Sequence, residues 1–135
     1  MLHPAEADFI RSYICKNKRD RLSLELSDEK RRARAISRFA HTAEDFLMMN
    51  KLVLSGSKLS KAQIVSALKE GSKSDLCHVI MVDGSTMETS AALAVEAVYG
   101  EETAIVIAEN SVYVETEPYI KAMRYILSAN AAKTE

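Results

Sequence analysis

Apolar positions along this chain recur in two periods, and the places where the period changes mark where helix gives way to strand. Phe9, Ile10, Tyr13 and Ile14 form one helical stripe. Pro4 suits the first turn of that helix, where a missing N–H costs no hydrogen bond. In residues 18–26, Leu22, Leu24 and Leu26 alternate as in a strand, but the surrounding Arg, Lys, Leu and Glu favour a helix, which is the reading adopted. Ser27, Asp28 and Glu29 then read as a helix start, a capping hydroxyl followed by two acids at the positive end of the dipole. That helix is expected to run to Leu47, with Ile36, Phe39, Ala40, Ala43, Phe46 and Leu47 inward and Arg31, Arg34, Arg38, His41 and Asp45 outward.

From Lys51 the pattern changes. Leu52, Val53 and Leu54 make a short strand, and Ser60 with Gln63 forms a capping box while Leu59 and Ile64 occupy the staple positions. Two independent devices thus fix one helix start, and Gly71 stands where a left-handed cap ends it. Residues 76–82 are almost continuously apolar, as in a strand covered on both faces. Residues 87–99 are expected to be helical and Gly100 to stop them; residues 103–108 and 112–115 read as a hairpin around Glu109, Asn110 and Ser111. Glu117 and Pro118 then open a last helix bearing Tyr119, Ile120, Met123, Ile126 and Leu127.

The expected architecture is an α/β (α+β) fold: a helical N-terminal arm followed by a β-α-β-α-β-β-α unit with a four-stranded mixed sheet. Right-handed crossovers make three strands parallel, and the hairpin returns the fourth antiparallel. One domain spans residues 1–135, with the arm over 1–50, the α/β part over 51–130 and a frayed tail over 131–135.

Composition narrows the class more than the role. The chain is 47% hydrophobic and 27% charged, with four glycines and two prolines, which argues against wholesale disorder. No apolar run nears the roughly 20 residues that cross a bilayer, and the first residues carry acids where a secretory signal carries bases, so a cytoplasmic protein without membrane contact is expected. Cys15 and Cys77 lack metal or redox spacing and read as small buried thiols. The net charge of −1 conceals a division. Residues 1–74 hold 15 Lys and Arg against 9 Asp and Glu, whereas residues 75–135 hold 3 against 10, so the two parts carry +6 and −7.

Asp83, Gly84, Ser85 and Thr86 follow the apolar run and supply the polar corner at which ligands bind in open α/β sheets. Asp83 there can serve as a base, and the helix N-terminus as an anion site. The same residues are also what a turn and a helix cap prefer. His78 alternates with Ile80 and Val82, opposite Cys77, and reads as a buried, hydrogen-bonded histidine beside that corner. No metal motif or catalytic set accompanies either feature, so no metal, cofactor or catalytic residue is assigned.

Arg31, Arg34, Arg38 and His41 on one helix face suit a partner surface, as do Glu109, Glu115 and Glu117 around the hairpin, unless the acids only guard a sheet edge. The expected function is a small protein-interaction or regulatory module that meets another protein or a second copy in a dimer. The alternatives are a small-ligand-binding protein or enzyme centred on Asp83, Gly84, Ser85, Thr86 and His78, and nucleic-acid binding through the basic helix 28–47. That last reading lacks tryptophan, a basic pI and a glycine-rich basic loop.

Overall fold

A computed structural model of the chain describes residues 2–116 and 123–131. Four helices come first: α1 (Pro4–Tyr13), α2 (Lys16–Leu26), α3 (Arg32–His41) and the single turn α4 (Ala43–Phe46). A 3-10 turn, Met49–Lys51, leads to β1 (Leu52–Gly56), α5 (Lys61–Lys69), β2 (Leu76–Met81), β3 (Thr86–Ser90), α6 (Ala91–Val98), β4 (Ala104–Ile107), β5 (Ser111–Glu115) and β6 (Arg124–Ser128). The six strands form one sheet in the order β1-β6-β5-β4-β2-β3, and every neighbouring pair is antiparallel.

The period-2 alternation along the central strands builds two cores, because successive side chains leave opposite faces of a sheet. Ile80, Ile105, Ile107, Val112, Val114, Tyr125 and Leu127 pack under α1 to α4, against Phe9, Ile14, Leu22, Ile36, Phe39 and Leu47. Cys77, Val79, Ala104, Val106, Tyr113 and Ile126 face the other way, against Ile64 and Leu68 of α5 and Ala94, Val95 and Val98 of α6. Residues 2–50 therefore form a layer over the sheet. Backbone hydrogen bonds hold that layer together where the α1–α2 link meets the end of α4: Cys15 N–H donates to Phe46 O at 2.7 Å and Met48 N–H to Tyr13 O at 2.7 Å.

Several expectations hold. Residues 18–26 are helical within α2, the capping box of Ser60 and Gln63 opens α5 with bonds of 3.1 and 2.9 Å, and β4 and β5 form the expected hairpin. Gly71 has φ +71° just past the end of α5.

Others are corrected. The sheet has six antiparallel strands, where four in a mixed arrangement were expected. One cause lies at residues 82–85, which join β2 to β3 as a tight turn closed by Gly84 N–H to Met81 O at 2.9 Å and Met81 N–H to Ser85 O at 2.8 Å. Asp-Gly is a strong hairpin signal, and here it reverses the chain, so residues 86–90 form a strand and α6 starts only at Ala91 behind a Ser90 cap. The expected helix over 28–47 is shorter and broken in two. Ser27 Oγ donates back to Ser23 O at 2.7 Å and so closes α2, and α3 begins at Arg32. Of the expected last helix, Met123 precedes β6 while Ile126 and Leu127 lie in it, and residues 117–122 fall outside the described residues. Among the described residues no helix is long and apolar enough to cross a membrane.

Candidate functional site

Two buried ion pairs stand out, and one of them leads through His78 to a cleft. The sealed one joins Glu115 of β5 to Arg124 of β6 through two hydrogen bonds of 2.8 and 3.0 Å. Glu115 also takes the Tyr113 hydroxyl and the Gly100 N–H, the latter at 2.8 Å, while the guanidinium lies 4.0 Å from the Tyr99 ring centre and donates to Ser57 O at 2.7 Å. Burial, then the Glu115 carboxylate, drive the Tyr113 hydroxyl far above its ordinary pKa. Every polar group is satisfied inside the protein, so this cluster fastens β5 and β6 to the α6–β4 link and to the segment after β1.

The other begins at the start of α1. His3 caps that helix, its Nδ1 accepting the Ala5 N–H at 3.0 Å. One turn on, Glu6 is 1% exposed. Arg32, in the first turn of α3, grips its two oxygens at 2.8 and 2.6 Å. The same guanidinium donates to Leu26 O at 2.9 Å and to Gly84 O at 2.6 Å, so one side chain ties α1, the end of α2 and the β2–β3 turn together. Gly84 has φ +91°, a left-handed conformation that favours glycine, and a Cβ there would meet Arg32 Cγ and Cδ at 3.4 Å, an ordinary contact.

His78 supplies the link to the sheet. The β2–β3 register sets it directly opposite Glu88, and cross-strand partners lie side by side on one face. Its Nε2 meets Glu6 Oε2 at 2.8 Å and its Nδ1 meets Glu88 Oε2 at 3.3 Å. His3 stacks on it, ring centres 4.0 Å apart, and extends its own Nε2 to Glu88 at 3.0 Å. Burial pushes the Glu6 carboxyl up, but the bonds from Arg32 and His78 outweigh this and hold it down at about 2. For His78 burial favours the neutral ring, yet the facing carboxylates of Glu6 and Glu88 win and raise its pKa.

His3, His78 and Glu88 line a cleft of about 660 Å³ beside α1. Its walls include Asp8, Phe9, Arg11, Ser12 and Tyr13 of α1 and Leu76 and Ile107 from the sheet. A second recess of about 360 Å³, between Val53, Ala67 and Asn110, is lined among the described residues by one charged side chain, Glu70.

The residues singled out in the sequence are dispersed. Asp83 is exposed on the hairpin turn, where its Oδ1 accepts the Ser85 N–H at 2.9 Å and the Ser85 hydroxyl at 2.6 Å, and these bonds lower its pKa. Gly84 touches the network only through its carbonyl, Thr86 is exposed at the start of β3, and His78 alone of the five faces the cleft. Arg31 and Arg34 are exposed, Arg31 lying 3.5 Å from Asp28; Arg38 is half-buried against Glu25; His41 is exposed at the end of α3. Glu109 lines the cleft rim and accepts the backbone N–H of Lys73 at 2.9 Å. Glu115 requires a correction: expected near a sheet edge as a partner residue, it lies in an interior strand and is 0% exposed. Glu117 lies outside the described residues. His3, Glu6, Arg32 and Glu88 were not singled out, although a hairpin centred on Asp83 pairs His78 with Glu88 by register alone. Comparison with protein-family models, with curated proteins and with solved structures finds no match.

Proposed function

We propose that the protein binds a small polar ligand in the cleft beside α1, with His78, His3 and Glu88 as its recognition end and Phe9, Leu76 and Ile107 as its apolar floor. The observation that carries this reading is the chain Arg32–Glu6–His78: a buried, charge-assisted network ends at the wall of the larger cleft and fixes the imidazole that faces it. Networks of shifted pKa inside a cleft are where binding and proton chemistry concentrate. Amide spectra recorded with a panel of small charged and aromatic fragments test it. Shifts should cluster at Phe9, Leu76, Ile107 and Ala108 and vanish in Ser12→Trp, whose indole fills the cleft from the α1 side. Shifts spread over the surface, or unchanged by that variant, would refute the reading.

A second reading, a protein-interaction or regulatory module, is supported by the outward side of α2 and α3. Arg31 and Arg34 stay exposed there, and Leu24 is 64% exposed. Light scattering of the Arg31→Glu/Arg34→Glu variant beside the parent protein decides it, since the reading requires an association that the variant loses.

A further inference from the structure

We propose that His3, His78 and Glu88 hold one divalent transition-metal ion of the zinc type at the wall of the cleft. The proposal rests on the cleft being a binding site and names the ion through which a cleft ligand is held. Glu88 Oε2 lies 3.0 Å from His3 Nε2 and 3.3 Å from His78 Nδ1, and the three ligand atoms fall within 4.8 Å of one another. Bonds of about 2.0–2.1 Å to a tetrahedral zinc ion set its ligand atoms roughly 3.3–3.4 Å apart. Two edges of the triangle are therefore already close to that length, and His3 and Glu88, with side chains 43% and 44% exposed, have freedom to adjust the third.

The ligand chemistry selects the ion. Two imidazoles and one carboxylate suit zinc, cobalt or nickel, whereas calcium and magnesium prefer all-oxygen sites. Behind the ligands, Glu6 meets His78 Nε2 at 2.8 Å and is itself gripped by Arg32. A carboxylate that accepts the far N–H of a ligating histidine holds the proton on that nitrogen, so the proton shared between Nδ1 and Glu88 leaves to solvent as the ion takes its place and Nδ1 becomes the lone-pair donor. Three protein ligands leave a tetrahedral ion one position, and because all three line the cleft, that position belongs to whatever the cleft holds.

His3 must change state on loading. Its Nδ1 accepts from Ala5, which keeps the ring proton on Nε2, the atom that ligates. A neutral ring bound through Nε2 carries its proton on Nδ1, so the ring turns out of its stack with His78 and releases the Ala5 N–H. The Ala5 amide thus reports on the site.

The test uses tag-free protein stripped with chelator and titrated calorimetrically with Zn²⁺ alone, with Co²⁺ absorbance as a second readout. One ion per chain is expected, with the intense visible bands of tetrahedral cobalt and a shifted Ala5 amide. His3→Ser, which keeps a cap acceptor for the first turn of α1, and Glu88→Gln should each weaken uptake at least tenfold while chelated samples melt close to the parent. Both residues are exposed, so their replacement spares the core; His78 is left alone because it is packed against Glu6. Absence of stoichiometric uptake, or uptake that survives both substitutions through other groups, overturns the proposal. Fragment shifts in the cleft recorded in chelator would then still uphold the cleft as a binding site without metal, and loss of those shifts with retained zinc binding would leave the metal site and remove the small-ligand reading.

Discussion

Replacing Glu115 by Ala leaves the Arg124 guanidinium, 6% exposed, without its carboxylate. An uncompensated buried charge of this kind costs about 3–5 kcal/mol, so urea unfolding of Glu115→Ala should show a large fall in midpoint or no folded baseline. Tyr113→Phe, which removes one of several donors to the same carboxylate, should cost only about 1 kcal/mol. At this scale the sequence was least legible. Glu115 looked like an edge guard because hydropathy ranks every acid as a surface residue, and only the pairing of Glu115 with Arg124 across β5 and β6 makes its burial tolerable. Arg32 was hidden for the same reason among Arg31, Arg34 and Arg38. Nothing in its spacing reveals that it alone of these turns inward to Glu6. His78 was legible as a buried, hydrogen-bonded histidine because it sits inside an apolar run, which demands partners for both ring nitrogens.

Removing the Ser60 hydroxyl deletes the acceptor for the Gln63 N–H and half of the reciprocal pair that opens α5. Ser60→Ala should therefore lower unfolding free energy by about 1 kcal/mol, read as a shift in denaturant midpoint at constant slope. That start could be read from the sequence because cap and staple are local, the chemistry of residues 59–64 with one solution. The β4–β5 hairpin and the helical nature of α2 were legible on similar grounds. The β2–β3 hairpin was not, because the alanine-rich stretch after it pulled the helix start forward over Met87 to Ser90. Asp83 and Gly84 were weighed as a corner between strand and helix when their commonest use is to reverse a strand. That one decision also concealed the candidate site: placing Asp83 at a hairpin's centre brings Glu88 beside His78, whereas placing it before a helix sends Glu88 elsewhere. Residues 124–128 were misjudged because Ile126 and Leu127 fit a helical stripe as well as they fit the two faces of a strand, and the choice between them is made by the distant strands β1 and β5.

At the scale of the molecule, most side-chain ion pairs among the described residues join residues of the same half: Glu6 with Arg32, Glu25 with Arg38 and Arg21, Asp28 with Arg31, and Glu115 with Arg124. Lys61 with Glu96 is a Lys or Arg pair that crosses between the halves among the described residues. The +6 and −7 of the two parts are thus not annulled by direct Lys or Arg contact on a broad front among the described residues, and Arg31 and Arg34 stay exposed. Association driven by that polarity weakens with salt, since the screening length shrinks to about 8 Å at physiological ionic strength. Light scattering should show any self-association falling between low and moderate salt and absent from Arg31→Glu/Arg34→Glu; a salt-independent dimer retained by that variant would remove the charged face from the account.

The strand order carries a consequence for biosynthesis. β6 fits between β1 and β5, Leu52 pairing with Leu127, so the strand that joins the first to the others is translated after all of them. Until it emerges from the ribosome, the nascent polypeptide holds β1 unpaired and β5 with a bare flank, both able to template aggregation. Assembly therefore concludes after translation of the last strand, and any prematurely terminated product lacking it is a ready substrate for chaperones and proteases.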